Sequence, residues 1–265
     1  MPEAAQKTVI WLASYPKSGN TWIRFLACNL VVGPIDSAAA LNHLAPDVHE
    51  LGPHPEPPRQ TVFFKTHFLS SAALPLGRHS MAAIYVVRDP ADVMVSNYHY
   101  ALRRGAVPDQ TPDSFSKYVD SYIASGGDPR WIELGMGTWQ DNVLSWRAFG
   151  ERLPLLWVRY EDLQGKPAAV AASLCTFLGL KRSAQEIERA VEGASFERMR
   201  AIEETDIATQ RVGIFYKPHL AGRIGTGVRF MRHGKSGEAK GLLSDQQWER
   251  FNQRFGMLRT SLGYA

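Results

Sequence analysis

The sequence predicts an α/β fold in which a single domain is built on a central parallel β-sheet flanked by helices. Three apolar runs, residues 8–13, 62–68 and 82–87, are rich in β-branched and aromatic residues, as buried parallel strands are. Each run ends at polar or charged residues, and helical patterns follow the first and the third. A chain of 265 residues with 45% hydrophobic content can bury one large core, so we predict one domain over residues 1–265.

The loop that joins the first run to its helix, residues 14–22, is equipped to hold an anion. It ends at a helix N-terminus, where unpaired N–H groups and the positive end of the dipole attract phosphate or sulfate. Lys17 adds a positive charge, and Gly19 lets the backbone approach the anion. Thr21 offers a hydroxyl, and Trp22 offers a flat surface for a base. Because the lysine precedes the only glycine, this is not the Gly-x4-Gly-Lys-Ser/Thr nucleotide loop.

The third run ends at a second candidate anion site. Asp89 is expected to cap the next helix, and Pro90 suits the first turn of that helix. Arg88 can donate two parallel hydrogen bonds to a phosphate, and Ser96 lies about two turns along the helix. A metal-dependent phosphotransferase usually has an aspartate at such a strand end to help hold magnesium. The arginine found here predicts that the site binds an anion rather than a cation.

The second run ends in a candidate general base. Lys65 and His67 are two residues apart at the strand end, so their side chains are expected on the same face. Parallel α/β sheets bind ligands at the carboxyl ends of their strands, and all three loops lie at such ends. We therefore expect both residues to share one crevice with Lys17 and Arg88, where His67 can accept a proton from a substrate.

The composition indicates which classes of ligand the protein binds and in which cellular compartment it lies. The net charge of +4 suits a polyanionic small molecule, and no basic run is long enough to predict nucleic-acid binding. Cys28 and Cys175 lie in apolar helical patterns, which predicts buried free thiols in a reducing compartment. Residues 1–7 lack the apolar core of a signal peptide, and no later stretch could span a membrane. The sequence thus predicts a cytoplasmic protein that binds no membrane.

Four blocks of the sequence resemble the cytosolic-type sulfotransferase family, which uses 3'-phosphoadenosine 5'-phosphosulfate (PAPS) as donor and releases adenosine 3',5'-bisphosphate (PAP). The blocks are residues 15–22, 65–67, 88–96 and 232–237, and their order and spacing also fit. The resemblance implies a P-loop-nucleotide-kinase-like sulfotransferase fold and a reaction that needs no metal. It also implies in-line transfer of the sulfuryl group to a phenol or alcohol hydroxyl of a small-molecule or natural-product acceptor.

The resemblance assigns a role to each matched residue. His67 would be the base, Lys17 would contact the bridging and sulfuryl oxygens, and Lys65 would assist in stabilising the leaving group. The remaining residues would hold the two phosphates and the adenine. Those implied for the 5'-phosphate are Ser18, Gly19, Asn20 and Thr21, those for the 3'-phosphate are Arg88, Ser96, Arg232, His233 and Gly234, and those for the adenine are Trp22, Tyr160, Ser195 and Phe196.

Some positions depart from the family pattern, and other functions share its features. Ala194 stands where a threonine often helps to read adenine, and His233 replaces a common lysine. Ser244 and Asp245 occupy the centre of the family's dimerisation motif, so that dimer is not predicted and the oligomeric state stays open. An ATP-dependent phosphotransferase of related fold would require magnesium and a carboxylate to hold it. A non-catalytic nucleotide-binding protein would keep the same pocket without turnover.

Overall fold

The strands of this computed structural model form one parallel sheet in the order β2-β1-β3-β4. The structure describes residues 6–52, 55–220 and 229–264. The strands are β1 (Val9–Ser14), β2 (Val62–Thr66), β3 (Ser80–Val87) and β4 (Leu155–Arg159). The predicted α/β class with a central parallel sheet is confirmed. The sequence pattern does not predict the fourth strand.

Helices flank this sheet on both sides. In chain order the described α-helices are α1 (Asn20–Val32), α2 (Ala38–Leu44), α3 (Pro90–Arg104), α4 (Pro112–Ser125), α5 (Pro129–Glu133), α6 (Trp139–Gly150), α7 (Tyr160–Gly165), α8 (Pro167–Leu178), α9 (Ala184–Gly193), α10 (Phe196–Ala208) and α11 (Asp245–Ser261). None of the described helices combines the length and the hydropathy needed to cross a bilayer.

Side chains point alternately to the two faces of the sheet along each strand, and helices bury both faces. Trp11 points to one face, where its ring contacts the ring of Trp146 from α6, with the centroids 6.5 Å apart. Leu12 points to the other face and packs in a cluster with Phe25 and Leu26 of α1. The strands therefore read as continuous apolar runs rather than as alternating ones.

The strand register brings the carboxyl ends of neighbouring strands to one level. Ala13 near the end of β1 pairs with Thr66 of β2 on one side and with Tyr85 of β3 on the other. Val87 of β3 pairs with Arg159 at the end of β4. The loops after all four strands therefore begin at the same edge of the sheet.

The structure confirms the helix cap and the buried thiols, and it moves His67 out of the second strand. Asp89 accepts a 3.0 Å hydrogen bond from the backbone N–H of Ala91 and caps α3, as predicted. The second strand ends at Thr66, so His67 lies just beyond the strand instead of within it. Cys28 and Cys175 are free and buried, in agreement with the sequence.

The core packing leads to a stability prediction. Leu26 on α1 is 1% exposed and packs under the sheet, whereas Leu144 on α6 is 50% exposed. We expect Leu26→Ala to lower the free energy of unfolding by about 2–5 kcal/mol, because it removes buried methyl groups and leaves a cavity. Leu144→Ala is the matched control within a helix and should change it by about 0.5 kcal/mol or less. Denaturant unfolding of both variants measures the difference, and equal losses would contradict the assigned packing.

Candidate active site

The loop between β1 and α1 lines a cavity of about 520 Å³ at the carboxyl edge of the sheet. Lys17 and Gly19 have positive φ angles of 70° and 100°, which turn the chain sharply into the helix. The N–H groups of the first turn of α1 have no partner within the helix. The side-chain amide of Asn20 donates a 2.9 Å hydrogen bond to the Leu12 carbonyl, so it is held against the strand. The backbone of this turn can therefore hold an anion.

The amine of Lys17 lies in an unusual environment. Its Nζ lies 4.5 Å from the ring centroid of Tyr100 and 4.3 Å from that of Phe230. Burial, followed by the charges of Arg103 and Arg88, lowers the pKa of Lys17 to about 7. An anion bound beside Nζ would favour the charged form and reverse this shift.

Arg88 forms hydrogen bonds with both the anion loop and the C-terminal part of the chain. It donates to the Lys17 carbonyl at 3.3 Å and to the Lys235 carbonyl at 2.8 Å. Its guanidinium lies 4.1 Å from the ring centroid of Tyr160, and the Asp92 carboxylate is 3.9 Å away. Within the described residues its buried Nε has no hydrogen-bond partner. A guanidinium with a free donor next to Lys17 is suited to a phosphate.

Two carboxylates hold the segment that follows residue 228 against the cavity. The Glu203 side chain is fully buried and accepts hydrogen bonds from the backbone N–H groups of Phe230 and Met231, at 2.7 and 2.8 Å. Asp92 accepts a 2.7 Å hydrogen bond from the backbone N–H of Gly237. These charge-assisted bonds fix the backbone between them. The sequence reasoning identified neither carboxylate as part of the site.

Aromatic rings form one wall of the cavity. Trp22 meets Tyr160 edge to face, with the ring centroids 5.8 Å apart and the planes at 82°. A Cβ atom on Gly19 would stand 2.6 Å from Cδ2 of Tyr160. A Cβ atom on Gly234, which has a φ of 64°, would stand 2.5 Å from Cδ2 of Phe196. The two rings therefore lie directly against main chain.

The structure brings most of the sequence-predicted site residues to this cavity. The predicted residues that line it are Lys17, Gly19, Asn20, Thr21, Trp22, Lys65, His67, Arg88, Ser96, Tyr160, Phe196, Arg232, His233 and Gly234. Arg232 also pairs with Glu238. Ser18 and Ser195 do not line the cavity. Ser18 is buried, and the Ser195 hydroxyl caps α10 by accepting a 3.2 Å hydrogen bond from the Arg198 N–H.

His67 is held in one tautomer. Its Nδ1 lies 2.7 Å from the carbonyl oxygen of Ser14, and because a carbonyl can only accept, Nδ1 carries the proton. Nε2 then has a free lone pair and, within the described residues, no hydrogen-bond partner. The backbone N–H of His67 donates to Nε2 of His49 at 2.9 Å. The sequence does not predict His49 as a site residue, because its contact with His67 arises only from tertiary packing.

The surroundings keep His67 neutral. Burial, followed by the charges of Lys65 and His49, holds the pKa of His67 well below its usual value. Lys65 in turn forms a buried 2.8 Å ion pair with Asp47. Lys65 and His67 line the same cavity, but the ammonium of Lys65 is engaged by a carboxylate. The arrangement offers a neutral base and a cluster of cations in one cavity, which is suited to transferring an anionic group to a hydroxyl.

Comparison with known proteins identifies the family. A model of the sulfotransferase domain matches residues 7–262. Human sulfotransferase 1C2 is 28% identical over 270 residues, covering 96% of this chain and 84% of the human protein. Dog sulfotransferase 1A1 is 27% identical over 276 residues, covering 98% of this chain and 86% of the dog protein.

Solved structures show the same fold. A crystal structure of mouse sulfotransferase SULT7A1 complexed with PAP has a TM-score of 0.67 at 19% identity, and covers 98% of this chain and 87% of the mouse chain. Retinol dehydratase in complex with androsterone and PAP has a TM-score of 0.64 at 19% identity, with coverage of 95% and 80%. The match of the family model to residues 7–262 shows that the chain belongs to the sulfotransferase family and is a PAPS-dependent sulfotransferase.

Proposed function

We propose that this cavity binds PAPS between Lys17 and Arg88, and that His67 removes the proton from the hydroxyl of a small-molecule acceptor. The observation that carries the proposal is the 2.7 Å hydrogen bond from His67 Nδ1 to the Ser14 carbonyl. It leaves Nε2 as an unprotonated nitrogen in the cavity that Lys17 also lines. A base and an anion-binding lysine are the two groups that sulfuryl transfer to a hydroxyl requires.

The residues present fit the donor. Arg88 and Arg232 bring two guanidinium groups to the cavity, Lys17 brings an amine that a bound anion would keep protonated, and the first turn of α1 brings unpaired N–H groups. The buried Arg88 Nε has no hydrogen-bond partner among the described residues, as expected for a donor placed to bind a phosphate oxygen. The aromatic wall suits a purine ring. The PAP in the two similar solved structures supports the same nucleotide here.

The mechanism assigns a task to each residue. PAPS supplies the sulfuryl group and a bisphosphate leaving group. His67 Nε2 takes the hydroxyl proton as the acceptor oxygen forms its bond to sulfur, and the bond from sulfur to the bridging oxygen breaks with its electron pair on the phosphate. Lys17 stabilises the negative charge that develops on that oxygen. Lys65, engaged by Asp47, helps to keep His67 neutral through its charge.

The acceptor class follows from the walls near His67. Phe68, Trp131 and Met136 line this end of the cavity and are partly or fully buried apolar side chains. They suit the body of a phenol or an alcohol. An ATP-dependent phosphotransferase remains the second candidate only through the shared sheet and anion loop, and no contact described here favours it.

The donor assignment is tested by calorimetric titration with PAP and with ATP, in the presence of EDTA. We expect tight binding of PAP and weak binding of ATP, because the cavity presents cations to two separate phosphates and has an arginine at the end of β3. Initial-rate assays with PAPS and a panel of phenols and alcohols then report turnover. Tight binding of ATP that needs magnesium, without binding of PAP, would overturn the proposed donor site.

A second prediction concerns proton uptake. Because the pKa of Lys17 is lowered to about 7, this amine is mostly neutral at pH 8 in the free protein. The phosphates of PAP raise the pKa in the complex, so binding at pH 8 should take up close to one proton and should weaken as the pH rises above about 7. Calorimetry in buffers of different ionisation enthalpy measures the uptake.

Lys17→Arg is the matched control for this titration, since a guanidinium stays charged throughout the range. The variant should bind PAP with little proton uptake. Equal uptake by the variant and the natural protein would show that another group titrates.

A third prediction concerns the base. His67→Asn keeps a side-chain N–H that can reach the Ser14 carbonyl but has no basic nitrogen. We expect kcat to fall by about 10²- to 10⁴-fold while the affinity for PAP changes little, because His67 acts on the acceptor. His43→Asn, on the exposed side of α2, is the control and should retain full activity. A comparable kcat for His67→Asn and the natural protein would exclude His67 as the base.

A further inference from the structure

Helix α3 connects the donor end of the cavity to its opposite end. Arg88 precedes the helix, and Ser96, Tyr100 and Arg104 follow at four-residue spacing, so the three side chains share one face. All four residues line the cavity. With a rise of about 1.5 Å per residue, Arg104 lies roughly 12 Å beyond Ser96 along the helix axis.

Tyr100 lies between the part of the cavity proposed to bind PAPS and the part proposed to bind the acceptor. Its ring centroid lies 4.5 Å from Lys17 Nζ and 5.9 Å from the ring centroid of Trp131 of α5. The chain after Trp131 leads to Met136, whose carbonyl accepts a 2.9 Å hydrogen bond from the side chain of Asn142. That amide also donates to the His67 carbonyl, at 2.8 Å. Arg104, one turn past Tyr100, therefore belongs to the half of the cavity that receives the acceptor.

Two lysines near this half are paired with carboxylates. Lys65 pairs with Asp47 at 2.8 Å, and Lys217 pairs with Glu50 at 2.7 Å. By contrast, Arg104 is exposed, and its guanidinium lies 5.8 Å from the centroid of Tyr100. Across the described ranges no carboxylate lies within 4 Å of it.

The neighbour of Arg104 in sequence behaves differently. Arg103 turns inward and donates a 2.7 Å hydrogen bond to the Phe215 carbonyl. Arg104 instead places a planar cation near the ring of Tyr100, in a cavity that Trp131 and Leu134 also line. A guanidinium in this setting can bind a carboxylate through two parallel hydrogen bonds.

We propose that Arg104 selects an anionic acceptor, namely a phenol or alcohol that carries a carboxylate or similar group at the end of its apolar body away from the reacting hydroxyl. This inference rests on the proposed function, because it assumes that the hydroxyl lies at His67. Arg104 contacts the acceptor in the ground state and takes no part in the chemical step. Its removal should therefore raise KM more than it lowers kcat.

The test compares three phenols with PAPS as donor: 3-(4-hydroxyphenyl)propanoate, its uncharged methyl ester, and the cationic phenol tyramine. The natural protein should have a higher kcat/KM for the carboxylate than for the other two. Arg104→Gln should lose about 10- to 100-fold of that preference, mainly through KM, with unchanged affinity for PAP. Arg104→Glu should shift the preference toward tyramine by reversing the charge.

Arg147→Gln is the matched control. Arg147 is exposed in the last turn of α6, as Arg104 is in the last turn of α3, but it does not line the cavity. The control reproduces the loss of a cation near a helix C-terminus and should keep the preference for the carboxylate. An equal change in both variants would assign Arg104 a merely structural role and overturn the proposal.

A binding measurement separates failure of this inference from failure of the proposed function. The carboxylate and its methyl ester are titrated into the protein saturated with PAP. Stronger binding of the carboxylate that is lost in Arg104→Gln supports the inference. Equal or weaker binding of the carboxylate, with PAP still bound, overturns it, whereas absence of PAP binding overturns the donor site instead.

Discussion

The flush register of the parallel strands is the constraint on which the site depends. Ala13 is paired on both sides of β1, with Thr66 and with Tyr85, so the chain leaves three strands at the same level. The anion loop, the histidine and the arginine then emerge side by side. A shift of one residue in either pairing would turn buried side chains toward the opposite face and move these groups out of reach. Hydrophobic burial on both faces of the sheet thus sets the position of polar groups at its edge.

The packing that forms the cavity buries positive charges, which costs electrostatic free energy. Lys17 and Arg88 lie close together, and burial makes each charge costly unless an anion compensates it. The lowered pKa of Lys17 reports that cost. Asp92 lies 3.9 Å from Arg88, but among the described residues neither Glu203 nor Asp92 forms a direct ion pair with Lys17. They use their oxygens to hold main-chain N–H groups of the C-terminal segment, which leaves positive potential for a ligand.

The sequence predicted the parts of the site that depend on local pattern. An apolar run followed by a turn and a helix is visible in one dimension, so the anion loop and the cap at Asp89 could be predicted. The fourth strand was missed because Leu155, Leu156 and Trp157 are only partly buried at the sheet edge, and five residues give a weak signal. His49 acquires its role through a contact with the backbone of His67, and no spacing in the sequence indicates such a contact. The specific roles of the predicted site residues stay predictions.

The absence of a side chain at Gly19 and Gly234 has a consequence for how this protein can change. Each glycine lets one aromatic ring, Tyr160 or Phe196, lie against the main chain, and even a methyl group would collide with that ring. Backbone atoms therefore bound the space beside these rings, and substituting a side chain cannot remove those atoms. The opposite end of the cavity is built from side chains at the end of α3 and around α5, where a single replacement alters shape and charge. Variation among descendants of this chain would thus accumulate at one end of the cavity, while the nucleotide end would stay constant.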